Sequence, residues 1–443
     1  MSETSLKHEK MQGESDANEG MPVPGAALLP QTELVHFVSV LFNQKERFLS
    51  VLKDRPAPLY LLDAAVLKGK ARKFAAAFGK WFPDAGRYFA VKSNNHPMVA
   101  GVLLKEGFGL DVSGGPELEM ALAAGARDIV FSGPGKTGME LEAAADHPDR
   151  VVVLLDSFGE LDRLRRIAEE KNRQVRCGVR LTVDPAGLWR KFGIEPKALP
   201  AFMEKATDSG WIQLSGLQFH SSWNMSPDRQ AAFIRTLGNT LAGIARRFTR
   251  QIRFVDIGGG YWPECGEWLR PSGIPETGRG RGAGIGLRQP EPHYRNPASP
   301  IEVFARDIAM AVQGHLFPGL GRECRICLEP GRWIIHDAVH LLMTVVDKKG
   351  VDLAITDAGT NAVGWERFET DYFPVLNLSR PSLEEKACDI LGSLCTPHDV
   401  WGSSYFGEDI RPGDILMIPS QGAYTYSLRQ QFIKPVPEMA AIE

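Results

Sequence analysis

Tyr88–Ser113, YFAVKSNNHPMVAGVLLKEGFGLDVS, carries the pattern on which the fold turns. A β-rich run, Tyr88–Lys92, ends in polar residues. A helical stretch, Pro97–Glu106, follows, and a second β-rich run, Gly109–Ser113, ends in glycines. The same unit recurs outward through Ile129–Ser132, Val151–Asp156, Val175–Leu181, Gly216–His220, Phe254–Gly258 and Cys324–Glu329, with helix candidates Glu117–Ala124, Met139–Ala145, Gly159–Lys171 and Ile301–His315 between them. Short apolar strands alternating with amphipathic helices indicate parallel β/α architecture. Eight such runs between residues 85 and 333 fit a closed (β/α)8 barrel, TIM-like, in which chemistry sits where strands end and loops begin. Lys92, Asp111, Arg180, His220, Gly258–Gly260 and Glu329 all fall at or just after predicted strand ends.

After Arg332 the pattern changes. Val339–Val346, Val351–Thr356, Phe373–Leu378 and Asp414–Ile418 read as strands without regular helices between them, and so as a C-terminal β domain, a sandwich or barrel. Leu59–Leu62 is expected to join it, and Glu33–Leu52 reads as an amphipathic helix. The expected organisation is a disordered tail over 1–30, an N-terminal helix and strand over 31–63, the barrel over 64–333 and the β domain over 334–443. Pro263–Pro300, rich in Gly, Pro and Arg, is either a functional cover or a floppy insertion.

The chain has 443 residues, 43% hydrophobic and 24% charged, the mixture of a soluble globular protein. A net charge of -3 gives no electrostatic reason for a nucleic-acid or anionic-membrane partner. No apolar run is long enough to cross a bilayer. Cys324 and Cys327 form a lone CxxC with no second pair, so buried thiols are expected rather than a metal site. A reducing compartment, the cytoplasm, is the expected location.

Four motifs carry chemistry. In AVKSN, Lys92 follows an apolar run, and desolvation there is expected to lower its pKa and supply a neutral amine. DIGGG (Asp256–Gly260) places three glycines after a strand, where backbone N–H groups can close around an anion. EPGR (Glu329–Arg332) offers a carboxylate to a ring nitrogen and a guanidinium to a phosphate or carboxylate. Cys395 in GSLCTPHD is a candidate acid. Other patterns fail. GPGKT has Val130 where a P-loop needs its first glycine, GRGRGAGIG follows no strand, and HDAVH (His336, His340) lacks the glutamate of a zinc protease.

In order and spacing over about residues 55 to 435, these motifs resemble the fold-type III pyridoxal-phosphate decarboxylases, a group that includes the diaminopimelate, ornithine and biosynthetic arginine decarboxylases and is related to alanine racemase. The resemblance implies a pyridoxal 5'-phosphate enzyme in which Lys92 carries the cofactor as a Schiff base. It implies Asp111 and Glu117 near the lysine and ring, Arg180 in support, and His220 stacked on the ring. Gly258, Gly259, Gly260, Gly331, Arg332 and Tyr424 would hold the cofactor, Glu329 would pair with its ring nitrogen, and Arg332, Arg367 and Thr396 would meet the substrate. Cys395 would donate a proton from the partner subunit of a homodimer.

Three departures from that pattern bear on substrate. Ser221, Ser222 and Trp223 follow His220 where the family has a Gly-Ser pair. Thr396 follows the cysteine where the family often has Asp or Glu. Gly364, Trp365, Glu366 and Arg367 stand where diaminopimelate decarboxylases carry an Arg-Pro pair. A modified or bulkier amino acid is therefore expected, rather than plain diaminopimelate, ornithine or lysine. The alternatives are an amino-acid racemase on the same scaffold and a non-catalytic binding or regulatory homologue.

Overall fold

The computed structural model describes residues 26–208, 210–269, 289–290, 292–364 and 373–443. Strand β1 (Leu59–Asp63) precedes eight barrel strands: β2 (Gly86–Ala90), β3 (Gly109–Val112), β4 (Ile129–Phe131), β5 (Val151–Leu155), β6 (Val175–Leu181), β7 (Ile212–Phe219), β8 (Phe254–Asp256) and β9 (Arg325–Leu328). They pair in parallel and in chain order, and β9 closes onto β2 through Cys327 opposite Gly86. Each expected barrel run is a strand, and Ile301–His315 is a helix over its whole expected length.

The sequence writes its own helix boundaries. Thr137 and Glu140 form a capping box on Gly138–Ala145. His96 caps Pro97–Lys105, with its ring accepting the Met98 N–H at 3.1 Å ahead of a proline-led first turn. The Asp63 carboxylate accepts the Ala65 and Val66 N–H groups at 3.1 and 3.0 Å, and also pairs with Arg47 at 2.8 Å. The pairing with Arg47 and these N–H bonds outweigh burial and hold its pKa below the usual range.

Alternate residues of a strand share a face, and that parity sorts the barrel interior into layers. Tyr88, Val130, Leu154 and Cys327 pack with Phe254 into an inner apolar cluster. Small residues make room for it: a Cβ on Gly216 would lie 1.9 Å from the Phe254 ring. Two residues further along each strand, the same inward face carries Asp111, Ser132, Asp156, Arg180, Gln218, Asp256 and Glu329, all buried. The barrel is thus plugged by apolar side chains below and opens on a polar ring at its C-terminal mouth.

The remaining strands are β10 (Val339–Lys349), β11 (Leu353–Thr356), β12 (Val375–Asn377), β13 (Glu385–Leu391), β14 (Val400–Phe406), β15 (Ile415–Ile418) and β16 (Glu438–Ile442). Together with β1 they form an eight-stranded sheet in the order β11-β13-β14-β12-β15-β10-β1-β16, and an added β10–β11 pairing folds it back on itself. Leu59–Leu62 does pair with this sheet, against Val339–Leu342.

Two expectations need correction. The single helix over 33–52 is two, Gln31–Phe42 and Lys45–Ser50, because the chain turns at Asn43 and Gln44. The disordered tail extended to residue 30. Residues 1–25 lie outside the described residues, but Ala27 and Leu28 pair with Arg295 and Tyr294, which pair in turn with Glu267–Leu269. Hence part of the 263–300 connection is a small antiparallel sheet, while 270–288 and 291 lie outside the described residues.

The GPGKT lysine has a structural task. Lys136 donates to the carbonyls of Gly133 and Leu154 at 2.7 and 2.8 Å and to Glu160 at 2.7 Å, which ties the tops of β4 and β5 together.

One buried histidine sets a pH dependence. His340 accepts the Ser420 N–H at Nδ1, 3.3 Å away, and burial pulls its pKa from 6.5 to about 4. The unfolded chain takes up this proton near 6.5, whereas the folded chain resists until about 4. The stability that neutral His340 contributes is therefore present above pH 6.5 and lost as pH falls toward 4. His340→Leu should flatten the slope of unfolding free energy in that window by about 1.4 kcal/mol per pH unit. Urea titrations at pH 5, 6 and 7 measure it, and equal slopes in both proteins would refute the assignment.

Candidate active site

At the barrel mouth, Lys92 lies in the 3-10 turn Val91–Ser93 directly after β2. Its Nζ donates to Asp111 Oδ2 at 2.8 Å on the neighbouring strand, and its side chain is 34% exposed. Burial pulls the amine's pKa down, but Asp111 and then Glu329 outweigh burial and raise it. This corrects the expected neutral amine: desolvation is real, but the ion pair is stronger. Asp111 is itself shifted up by burial and by Glu329, against the pull of Lys92.

The turn is sewn to the β domain. Asn94 Nδ2 donates to the Gly422 carbonyl at 3.0 Å, and the Asn95 N–H to Ser427 Oγ at 2.9 Å. The Tyr424 N–H donates to the Ser93 carbonyl at 2.8 Å. Tyr424 holds φ 57, a left-handed conformation that costs a non-glycine residue about 1–2 kcal/mol. That strain is spent on setting a tyrosine beside Lys92.

His220 sits just beyond β7. Its Nδ1 accepts the Gly259 N–H at 3.1 Å, so the proton is on Nε2, which faces Ser222 Oγ at 3.2 Å. Burial, Lys92 and Arg180 together hold its pKa well below 6.5. The 3.8 Å approach of its Nδ1 to Glu329 is therefore a contact of a neutral ring and not an ion pair.

Glu329 is 2% exposed and takes a long 3.5 Å hydrogen bond from Gln218. Asp256 faces it from β8. Burial and Glu329 push the Asp256 pKa well up, and its Oδ1 accepts the Gly258 N–H at 2.8 Å. The motif reading passed over Asp256 and Gln218, and the strand parity that carries Asp111 and Glu329 inward would have found both.

The glycines differ from the expected cradle. The N–H groups of Gly258 and Gly259 are already given to Asp256 and His220. Of these three glycines, only Gly260 has an N–H with no acceptor among the described residues. Gly260 has φ 81, and a Cβ there would lie 2.1 Å from the Ser221 carbonyl, so only glycine lets the chain pass. Glu117 accepts the Ser113 N–H at 2.8 Å and lies close enough to feel the charges of Asp111 and Lys92, while burial raises its pKa.

Gly331 begins the short turn Arg332–Ile335 against Ser93, and the Arg332 guanidinium lies 4.3 Å from the Trp262 ring and 5.0 Å from the Tyr424 ring. Arg180 lies over the Phe192 ring at 4.6 Å. Cys395 is exposed in the loop after β13, next to half-buried Thr396. Among the described residues, no hydrogen bond joins its thiol to Lys92, His220 or Glu329. Trp223 points outward, 53% exposed at φ 51. Arg367 lies outside the described residues, with Trp365 and Glu366.

An ion-paired lysine amine, a buried carboxylate, a neutral imidazole and a guanidinium thus converge on one barrel mouth. Gly260 and Trp262 add N–H donors that find no acceptor among the described residues. These residues fit a ring cofactor with one carbonyl carbon, one basic nitrogen and one anionic arm.

The comparisons name that cofactor. Residues 67–267 match the family described as "Pyridoxal-dependent decarboxylase, pyridoxal binding domain". The chain is 28% identical over 389 residues to the diaminopimelate decarboxylase of Methanothermobacter thermautotrophicus, covering 85% of this chain and 84% of that one. It is 24% identical to the L-glutamyl-[BtrI acyl-carrier protein] decarboxylase of Niallia circulans, over 85% and 86% of the two chains. The solved diaminopimelate decarboxylase of M. jannaschi superposes with a TM-score of 0.72 at 22% identity, covering 89% and 88%. The lysine/ornithine decarboxylase of Vibrio vulnificus does so with 0.70 at 21%, covering 90% and 98%. These two structures establish the fold. The protein is a pyridoxal 5'-phosphate-dependent carboxy-lyase acting on an amino acid. Over most of its length it is similar to the diaminopimelate decarboxylases, and its fold is theirs. No helix among the described residues is long and apolar enough to cross a membrane.

Proposed function

We propose that this decarboxylase acts on an α-amino acid whose far end carries no free ammonium, using Lys92 to carry the cofactor and Cys395 of a partner subunit as proton donor. The observation that carries the substrate reading is Asp399. The loop from Gly392 to His398 holds no acidic side chain, and the carboxylate that follows it is turned inward. Asp399 Oδ1 accepts the Thr360 N–H at 2.7 Å and its hydroxyl at 2.8 Å, and Oδ2 accepts the Leu394 N–H at 2.6 Å. Thr396, beside the cysteine, offers a hydroxyl and no charge. An ammonium drawn out of water against that loop would find no counter-ion, which is unfavourable. The relative from Niallia circulans acts on a glutamyl group, which also lacks a second ammonium.

When bound, pyridoxal phosphate supplies an electron sink for the pair released as CO2 leaves. Glu329 holds the proton on the ring nitrogen and so keeps that sink charged. The Gln218 amide supports Glu329 with a hydrogen bond, and Asp256, its pKa raised by burial and by Glu329 itself, lies beside it. Neutral His220 presents its ring face, fixed by the Gly259 N–H on one nitrogen and Ser222 on the other. Arg332, Gly331, Gly260 and Tyr424 bind the anionic arm, and Arg180 and Asp111 order the mouth around Lys92. Cys395 Sγ gives its proton to the carbon that has lost CO2. Its exposure within one chain supports a homodimer in which each subunit completes the other's site.

A CO2-release screen tests the reading. Diaminopimelate, ornithine and lysine should turn over at least about tenfold more slowly than a glutamate joined through its side-chain carboxyl as amide or thioester, the scale of one charge-assisted hydrogen bond. Thr396→Asp should raise turnover of ornithine by a similar factor. Full turnover of diaminopimelate by the wild type would overturn the substrate assignment.

A further inference from the structure

Trp262 lies in the turn that carries the chain out of the barrel after the DIGGG segment. It is 4% exposed, and its indole Nε1–H is buried without an acceptor among the described residues. Its backbone N–H donates to the Asn224 carbonyl at 3.3 Å, and Asn224 in turn donates its own backbone N–H to the Gly260 carbonyl at 3.0 Å. The indole is therefore held rigidly to the glycine turn. Its face covers the Arg332 guanidinium at 4.3 Å, with the Tyr424 ring 5.0 Å from the same group.

Two physical consequences follow. A guanidinium flanked by two aromatic rings is confined to the plane between them, so its N–H donors are aimed in one direction. A buried donor with no partner is destabilising by itself, and a phenylalanine or leucine would fill the space without that penalty. The N–H is explained if an anion comes to it. Arg332 is the cation at hand, and the Gly260 N–H, two residues away, is unused as well.

We propose that Trp262 is a cofactor-anchoring residue whose ring positions Arg332 and whose indole N–H is donated to the phosphate of pyridoxal phosphate. This rests on the reading of Arg332 and Gly260 as phosphate contacts. It is tested without substrate, so its failure is separable from a failure of the decarboxylation reading.

The experiment titrates resolved, cofactor-free protein with pyridoxal phosphate and with pyridoxal, which lacks the phosphate, and follows the visible absorbance of the bound species. Trp262→Phe keeps an aromatic face for Arg332 and removes the N–H. Trp262→Leu removes both. Pyridoxal phosphate should bind about tenfold more weakly to Trp262→Phe and about a hundredfold more weakly to Trp262→Leu, with pyridoxal affinity unchanged in the phenylalanine variant. Equal weakening of both ligands in Trp262→Phe would mean a merely structural role and overturn the proposal. So would unchanged binding of both. A rise in the KM for the amino acid with normal cofactor affinity would assign the N–H to the substrate carboxylate instead and also overturn it.

Discussion

Lys92→Ala is expected to yield a folded protein without the yellow cofactor band, with CO2 release below about one ten-thousandth of the wild type. The loss is chemical rather than structural, because the neighbourhood can absorb the change. Asp111 is the partner left behind, and its pKa is already raised by burial and by Glu329. Without Lys92 the opposing charge is gone, which pushes Asp111 further toward its neutral form. Thermal unfolding should therefore shift little. Absorbance before and after borohydride measures the cofactor link, with the wild-type band removed and fixed and the variant showing none. Lys92→Cys alkylated with 2-bromoethylamine rebuilds an amine of nearly equal length and should recover part of the cofactor band, although exposed Cys395 is alkylated with it and CO2 release should stay low. A borohydride-sensitive band that survives in Lys92→Ala would require another lysine. Lys136 is the buried competitor, but its amine is committed to two carbonyls and Glu160, so it has no free direction of attack.

Much of this site was legible in the sequence, for a reason visible in the strands themselves. In a closed parallel barrel, a polar residue at the end of an apolar run has nowhere to point but the mouth. Lys92, Asp111, Arg180, His220 and Glu329 could therefore be read from position alone. What escaped was whatever depends on a neighbour distant in the chain. The shift of Lys92 is set by Asp111, nineteen residues on and one strand across, and a reading of AVKSN by itself sees only apolar flanks. Trp262 stands before a proline with no local signal of a role, and its stacking on Arg332 joins segments seventy residues apart. The β domain shows the same limit. EKACDIL and VWGSSYF carry charges, glycine and serines through β13 and β14 and give no clean alternation. Strand β16 pairs with β1 from the other end of the chain, a partnership that no local pattern encodes.

The subunit origin of the proton donor yields the sharpest outcome. Cys395→Ala alone should lower decarboxylation by about a hundredfold to ten-thousandfold, the usual contribution of a positioned acid, with cofactor absorbance intact because the thiol touches none of Lys92, Glu329 or Arg332 within its own chain. That result would fit a cysteine acting from either subunit. Co-expressing Lys92→Ala chains with Cys395→Ala chains separates the two. If each site takes its lysine from one subunit and its thiol from the other, a mixed dimer has one site lacking both groups and one site with both wild-type groups. Random pairing makes about half the dimers mixed, so about one quarter of all sites regain full activity. If the thiol serves its own chain, every site in the mixed dimer lacks one group and no activity returns. Recovery near a quarter, from two preparations each nearly inactive alone, requires the thiol to cross the interface. No recovery, with mixed dimers demonstrated by differential tagging, would mean that Cys395 serves the chain that carries it and would overturn the shared site.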